Sequence, residues 1–481
     1  MSKITVISPE NKITFTAPVG TVLANALAEN GFAVPAACGQ KGTCGKCRVR
    51  LLSGNFNGEI PDNNMTIRSC KAIVCNDAVI GLDFQNSEGL TEFTERAEPQ
   101  NGVCGIAVDI GTTTVAAAFL KKDGSIFSAS CLNPQSAYGA DVISRIEACS
   151  DGKLDELTKL IRKCIKNLID KLDINNESEE LVVSGNTTML HIFCGISPES
   201  MGTFPFTPQF TDVQYLNGAE LGYKIKNVTV LPSISAFVGS DIVAGIYALG
   251  LHKTDKVEFL ADLGTNGELV LSDKGKLYCT STAAGPALEG ACIDCGIGGV
   301  EGAVDKVFDE DGETGYTTVG NKKPVGICGA GLTDAIALLL ERKLVDAYGY
   351  LEENFKIAEK IYISPKDIRQ FQLAKSAVFS GIEVLAKEVG TEVESTDKFY
   401  IAGGLGYYIN PESAINVGLI PRIEKSRIKA AGNTSLKGAL MCIGNKNVPE
   451  EMQKAARDCT QINLGGNSDF NQKFMDNMLF R

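Results

Sequence analysis

The sequence predicts two architectures in one chain, a small and mainly β unit followed by a larger α/β unit. Three observations predict it. Residues 3–16 alternate apolar and polar side chains (Ile4, Val6, then Ile13, Phe15) around Pro9-Glu10-Asn11, the pattern of a β-hairpin. Residues 86–102 (NSEGLTEFTERAEPQNG) are polar, contain Pro99 and hold no sustained apolar period, which marks a linker. Beyond it, apolar strands alternate with amphipathic helices, and one strand–turn–strand design occurs twice, in residues 105–114 and 257–266.

Element by element, the hairpin leads into a helix over residues 21–30 ended by Gly31, then a Gly/Cys loop over 37–47. A strand over 47–52 follows, closed by Ser53-Gly54, and the small unit ends near Phe84. The boundaries expected are 1–85 for the first domain, 86–102 for the linker and 103–481 for the second domain. Within the latter, helices are expected over 154–172 and 241–251. The repeated design suggests two related half-domains whose Asp residues meet across a cleft.

The chain has 481 residues, enough for two or three compact units with cores of their own. With 44% hydrophobic and 22% charged residues, and Gly 50 against Pro 16, it is neither collagen-like, coiled-coil nor wholly disordered. Lys+Arg 46 against Asp+Glu 58 gives a net charge of −12 with no basic block, which argues against a nucleic-acid partner. The first residues, Met-Ser-Lys-Ile-Thr-Val, lack the layout of a signal peptide, and no apolar run reaches the roughly 18 residues of a membrane span. A cytoplasmic protein without a membrane partner is expected. There are 16 Cys and only 2 His, so sulfur and carboxylate chemistry take precedence over imidazole chemistry.

Cys38-x5-Cys44-x2-Cys47 lies among Gly39, Gly42 and Gly45, and Cys70 follows Ile67-Arg68-Ser69. Three close thiolates and one distant one suit two irons held tetrahedrally, with glycine amides free to approach the sulfurs. The pattern resembles plant-type ferredoxin domains, which implies a [2Fe–2S] cluster and a β-grasp, α+β fold for about the first 84 residues. The first gap is five residues where the plant pattern has four. A four-Cys zinc site is the competing reading, although zinc sites usually carry two close pairs. Cys75 competes with Cys70 as fourth ligand; the resemblance favours Cys70. Cys104, Cys164 and Cys442 sit in apolar contexts and read as small core residues, and Cys292-x2-Cys295 is a lone pair that admits a second redox role.

Val108-Asp109-Ile110-Gly111-Thr112-Thr113-Thr114 and Ala261-Asp262-Leu263-Gly264-Thr265-Asn266-Gly267 each run an apolar strand into Asp, then a Gly-Thr turn. Amides and hydroxyls of such a turn can surround phosphate oxygens while the carboxylate holds Mg²⁺ through water. A single Asp-Gly turn is an ordinary hairpin; a matched pair points to a nucleotide. Phe399-Tyr400-Ile401-Ala402-Gly403-Gly404 brings a strand into a glycine cluster, either a flat support for adenosine or a plain strand-to-helix turn. No Walker-type loop competes, because residues 39–46 lack its spacing.

In this order the three elements resemble the phosphate-1, phosphate-2 and adenosine motifs of the ASKHA superfamily of actin, sugar kinases and heat-shock ATPases. That implies an α/β actin-like ATPase of RNase H-like fold in two half-domains. Asn133-Pro134-Gln135 with Gly139-Ala140-Asp141-Val142-Ile143-Ser144-Arg145, then Gly185-Asn186-Thr187-Thr188, Asp262-Leu263-Gly264-Thr265-Asn266-Gly267-Glu268, Gly326-Ile327-Cys328-Gly329 and Gly432-Asn433-Thr434-Ser435 narrow the match. Together with the ferredoxin fusion they resemble the reductive activators of corrinoid proteins, ferredoxin-fused ATPases that return a Co(II) corrinoid to Co(I).

The resemblance implies Cys38, Cys44, Cys47 and Cys70 as cluster ligands and Asp109 and Asp262 as organisers of Mg²⁺. It implies Gly111, Thr112, Thr113, Thr114, Gly264, Thr265, Asn266 and Gly267 around ATP phosphates, and Gly403 with Gly404 at adenosine. Asp241 falls where the superfamily places a connecting helix and would position the attacking water, or else serve as a helix N-cap. The implied partners are a corrinoid protein and a low-potential electron donor, with a homodimer left open and an anaerobic setting suggested. Plant-type clusters lie near about −400 mV, and the family implies a lower Co(II)/Co(I) couple. A gap of ~200 mV costs roughly 4 to 5 kcal/mol, comparable to the roughly 5.5 kcal/mol that inverts a two-state population, so ATP is of a size to drive the step. The alternatives are a small-molecule kinase with an attached redox domain, and an electron carrier whose ATPase fold is inactive.

Overall fold

The computed structural model describes residues 1–8, 12–32, 34, 39–43, 45–82, 90–92 and 99–480. The turn expected at 9–11, Cys38, Cys44 and most of the linker expected at 86–102 lie outside the described residues. The chain divides into two compact units, residues 1–240 with 439–450, and residues 241–438 with 451–481.

In the first unit, β1 (Ser2–Ile7) and β2 (Lys12–Ala17) pair antiparallel, as the alternation predicts, with Ile4 and Val6 buried. Helix α1 (Leu23–Glu29) is shorter than the span read from sequence; Asn30 caps it and Gly31 turns the chain at a φ of +85°. Strands β3 (Arg48–Ser53), β4 (Thr66–Arg68) and β5 (Ala78–Gly81) complete a five-stranded sheet in the order β2-β1-β5-β3-β4. Leu23, Leu27, Val49, Ile67 and Ile80 fill the core between that sheet and α1.

The second sheet of this unit contains β6 (Leu90–Glu92), β7 (Gly105–Ile110), β8 (Thr114–Leu120) and β9 (Ile126–Leu132). After α2 (Val142–Ala148) and α3 (Leu154–Leu172) come β10 (Glu180–Gly185), α4 (Thr187–Cys194), β11 (Gln214–Asn217) and β12 (Asn227–Val230). The order is β11-β12-β10-β7-β8-β9-β6. β7 runs parallel to β10, and β7-β8-β9 form an antiparallel meander. Ile106, Ala107 and Val108 are all buried because both faces of β7 are covered, which is why the strand reads as a continuous apolar run. In α3, Leu157, Ile161, Ile165, Leu168 and Leu172 recur at helical spacing and bury one face, and Asp155 and Glu156 stand favourably at the N-terminus.

The second unit begins in α5 (Ser240–Ala248) and builds its sheet from β13 (Val257–Leu263), β14 (Gly267–Asp273) and β15 (Lys276–Thr282). Helices α6 (Gly329–Glu341) and α7 (Pro365–Val389) precede β16 (Lys398–Ala402) and β17 (Ile428–Gly432); α8 (Thr434–Met441) and β18 (Thr460–Gln461) follow. Ser364 and Asp367 close a reciprocal capping box that starts the 25-residue α7. In the order β17-β16-β13-β14-β15-β18, the first five strands repeat β12-β10-β7-β8-β9 of the first unit, with β13 parallel to β16 and a β13-β14-β15 meander. The internal echo in the sequence is thus a repeat of topology. No described helix is long and apolar enough to cross a membrane.

Candidate functional site

The described part of the cysteine loop is held by its neighbours. The sulfurs of Cys47 and Cys70 lie 3.2 Å apart, and both side chains are buried. The Ser69 amide donates to the Cys47 carbonyl at 2.8 Å, which fixes the two cysteines relative to each other. Arg68 clamps the loop by donating to the Gly42 carbonyl at 2.9 Å while its guanidinium pairs with Glu59 at 2.7 Å, a bond that holds the Glu59 carboxyl below its usual range. The Ser69 hydroxyl is buried without a hydrogen-bond partner among the described residues. An orphan donor beside two facing thiols suits a sulfur-rich cofactor that accepts hydrogen bonds. The Cys75 thiol, by contrast, meets the Asn55 carbonyl at 3.4 Å.

The first Asp-Gly-Thr turn joins β7 to β8, with Asp109 half-buried near the end of β7 and Gly111, Thr112 and Thr113 in the connection. Two side chains brace it from below. The Asn133 amide donates to the Gly111 carbonyl at 2.8 Å, and its backbone N–H donates to the Thr113 carbonyl at 2.8 Å. Arg145, wholly buried, donates to the Thr112 carbonyl, to the Gly139 carbonyl at 3.1 Å and to Gln135 Oε1 at 3.3 Å. A planar guanidinium presents five donors in a fixed fork, against the three on the single nitrogen of an ammonium. The turn's carbonyls are thus directed at these donors.

The second turn joins β13 to β14. Gly264 N–H donates to the Asn266 carbonyl at 3.0 Å, Thr265 is buried with its hydroxyl on Glu289, and Gly267 opens β14. Asp262 and Glu268 are cross-strand partners at its base. Burial pushes the Glu268 carboxyl well above its usual range, and the nearby charges of Asp241 and Asp262 push the same way, against a hydrogen bond from Asn266. Asp241 sits in the first turn of α5 and accepts from the Ile242 amide at 2.9 Å; Ser240 is the first helical residue. Gly403 ends β16 at a φ of +83°, and a Cβ there would stand 2.7 Å from Asp262 Oδ1. Only glycine satisfies both constraints. The neighbouring Gly404 is exposed, with open space where a side chain would project.

The cysteine loop and the first turn meet through one short segment. Residues Pro134–Ala137 form a 3₁₀ turn capped by the Asn133 side chain. The Gln40 amide group donates to the Ala137 carbonyl at 2.7 Å and to Asn25 Oδ1 of α1 at 2.6 Å. Ala28, Ala137 and Leu160 pack together under Tyr138, and Lys163 donates to the Glu29 carbonyl at 2.5 Å. Burial, with Glu156 and Glu29 nearby, raises the Tyr138 phenol to about 12.

The structure therefore gathers Cys47 with Cys70, and Asp262 with Asp241, while Glu268 joins the latter group without having been singled out. Its place was readable, since a turn centred on Thr265 pairs position 262 with 268. Arg145 was marked only as part of a family motif, and Gln40 had no sequence signal for its tertiary role.

Three family models match the chain: the 2Fe-2S iron-sulfur cluster binding domain over residues 7–75, the RACo middle region over 104–254 and the C-terminal domain of RACo, the ASKHA domain, over 256–481. The corrinoid activation enzyme RamQ of Eubacterium limosum is 33% identical over 436 residues, covering 81% of this chain and 72% of the relative. The [Co(II) methylated amine-specific corrinoid protein] reductase of Methanosarcina barkeri is 24% identical over 405 residues, covering 75% and 73%. A solved reductive activator for corrinoid, iron-sulfur protein superposes with a TM-score of 0.75 at 26% identity, covering 100% of this chain and 98% of that one. With a cluster-binding N-terminal domain, an ASKHA domain and likenesses that cover 81% and 100% of this chain, the chain belongs to the family of reductive activators of corrinoid proteins.

Proposed function

We propose how this chain's residues divide the work of ATP-dependent reductive activation of a corrinoid protein, in which one electron returns a Co(II) corrinoid to Co(I). Cys38, Cys44, Cys47 and Cys70 hold a [2Fe–2S] cluster; the facing Cys47 and Cys70 thiols and the orphan Ser69 hydroxyl support that assignment. When bound, such a cluster supplies a one-electron reductant of low potential. Asp109 and Asp262 organise Mg²⁺ through water.

Gly111, Thr112, Thr113 and Thr114 in one turn, and Gly264, Thr265, Asn266 and Gly267 in the other, bind ATP phosphates. Gly403 and Gly404 leave backbone bare for adenosine. Asp241 positions the attacking water, with the buried Glu268 carboxyl beside it and Asp262. The domain boundaries 1–85, 86–102 and 103–481, a cytoplasmic location, a low-potential electron donor and a homodimer complete the reading; sizing by light scattering tests the last.

One observation carries the coupling. Asn133 holds the Gly111 carbonyl, and four residues on the Ala137 carbonyl holds Gln40 of the cysteine loop. A nucleotide that shifts the first turn moves the platform on which the cysteine loop rests.

The test is anaerobic. The reconstituted protein, a Co(II) corrinoid protein and a low-potential reductant are mixed, and the cobalt visible spectrum is followed with and without Mg-ATP. Co(I) appearing only with ATP, and lost in Cys47→Ala and in Asp262→Ala, is the expected result. ATP consumption that depends on a small hydroxylated acceptor, with cobalt unchanged, would mark a phosphotransferase instead.

A further inference from the structure

The first unit holds a thiol pair that neither the cluster nor the nucleotide turns use. Cys131 stands near the end of β9, and Cys164 lies midway along α3, which packs against that strand. Sequence context marks Cys164 as a small core residue, and it is buried, yet its sulfur lies 3.1 Å from that of the half-buried Cys131. A disulfide closes at about 2.0 Å, so about 1 Å of approach separates the two thiols from a bond. Both line a cleft with a volume of about 80 Å³ whose wall also includes Ala28, Gly31, Lys163 and Lys171. Solvent thus reaches the sulfurs from the cleft.

We propose that Cys131 and Cys164 are a reversible thiol–disulfide couple, oxidised by exchange with low-molecular-weight disulfides of the glutathione class. The Cys131 thiolate, the more accessible, attacks one sulfur of glutathione disulfide, giving a mixed disulfide and releasing one glutathione thiolate. The Cys164 thiolate then attacks the Cys131 sulfur and releases the second glutathione. Two cysteine thiols become one disulfide, one glutathione disulfide becomes two glutathione thiols, and the two cysteine protons end on the released glutathiones. Disulfides in reducing compartments are typically transient and redox-responsive, and this one would tie α3 to the strand that runs two residues later into Asn133. Other close thiols fit the role less well. Cys47 and Cys70 belong to the proposed cluster set, and Cys279, beside Cys459, has no exposed surface.

The test uses the full-length, cluster-loaded protein in anaerobic glutathione buffers of stepped redox ratio, with remaining thiols blocked by iodoacetamide and peptides mapped by mass spectrometry. Expected are a linked peptide pair containing Cys131 and Cys164, its reversal by dithiothreitol, and an alkylation rate of Cys131 at least about tenfold lower in the oxidised protein. The linked pair should vanish in Cys131→Ser and in Cys164→Ala while the cluster absorbance remains. Recovery of both cysteines as alkylated at every ratio, or as separate glutathione adducts that never join, would overturn the proposal. So would a link between Cys279 and Cys459 that forms while Cys131 and Cys164 stay alkylated. The wild-type map decides even where a variant folds poorly.

Discussion

Asp262 and Glu268 face one another as cross-strand partners at the base of the Gly264–Asn266 turn, two carboxyls at the mouth of a site proposed for a polyanion and its metal. Directly opposed like charges destabilise a sheet, and burial adds to the penalty, which is why the Glu268 carboxyl is held well above its usual range. Glu268→Gln is isosteric with the protonated acid. It should leave the melting temperature equal or higher while lowering ATP hydrolysis at least ~10-fold, since the ionisable group beside Asp241 and Asp262 is gone. A variant that melts higher and hydrolyses ATP at the normal rate would remove Glu268 from the site.

The cysteine assignment separates sharply by substitution. Cys47→Ala and Cys70→Ala should each abolish the visible absorbance of the reconstituted protein and lower bound iron, because each deletes a buried sulfur of the facing pair. Cys75→Ala should retain both, because that thiol already meets the Asn55 carbonyl. If Cys75→Ala bleaches the protein and Cys70→Ala does not, the fourth ligand is Cys75.

Much of this was legible because local periodicity and tertiary demand agree. The helix read over 154–172 has those bounds in the structure, since its apolar face is sustained over five turns and its first turn is acidic. The helix expected over 241–251 stops at Ala248, where Gly250 adopts a φ of +70° and the chain turns. Other features depend on packing that no local pattern encodes. Arg145 stands in one of the motifs that carry the resemblance, but only the fold shows the first turn's carbonyl on its guanidinium. Gln40 reads as a loop residue, because nothing in the sequence states which surface the cysteine loop meets.

Asp334 in α6 gives the second unit a stability that depends on pH. Burial raises its carboxyl to about 6, with Ser413 and the Val307 amide opposing the shift. Unfolded Asp titrates near about 3.9, so between about pH 4 and 6 the folded protein holds a proton that the unfolded chain has lost. Stability from this group is therefore full below the unfolded value and is lost as pH rises through the folded one, on the order of 3 kcal/mol in all. Asp334→Asn should stabilise by about 1–3 kcal/mol at pH 7.5 and by much less at pH 4. Equal effects at both pH values in denaturant titrations would show that burial of the charge is not the cause.

The coupling proposed between the two chemistries rests on bonds that can be cut singly. Gln40 touches neither Asn133 nor the first turn directly; it grips the Ala137 carbonyl and Asn25 from the cysteine-loop side. Gln40→Ala removes two hydrogen bonds worth roughly 1 kcal/mol each, too little to unfold the unit but enough to loosen the loop from its platform. ATP hydrolysis without a corrinoid partner should stay within about twofold of normal, because Asn133 and Arg145 still brace the first turn. The number of ATP molecules consumed per Co(I) formed should rise several-fold. Asn133→Ala should act in the opposite order, raising the KM for ATP first, because it strips the Gly111 carbonyl of its donor. Hydrogen exchange gives a readout free of cobalt: a non-hydrolysable ATP analogue should protect amides of residues 39–43 in the wild type and protect them less in Gln40→Ala. Protection that is the same in both would mean the nucleotide turn and the cysteine loop communicate by another route.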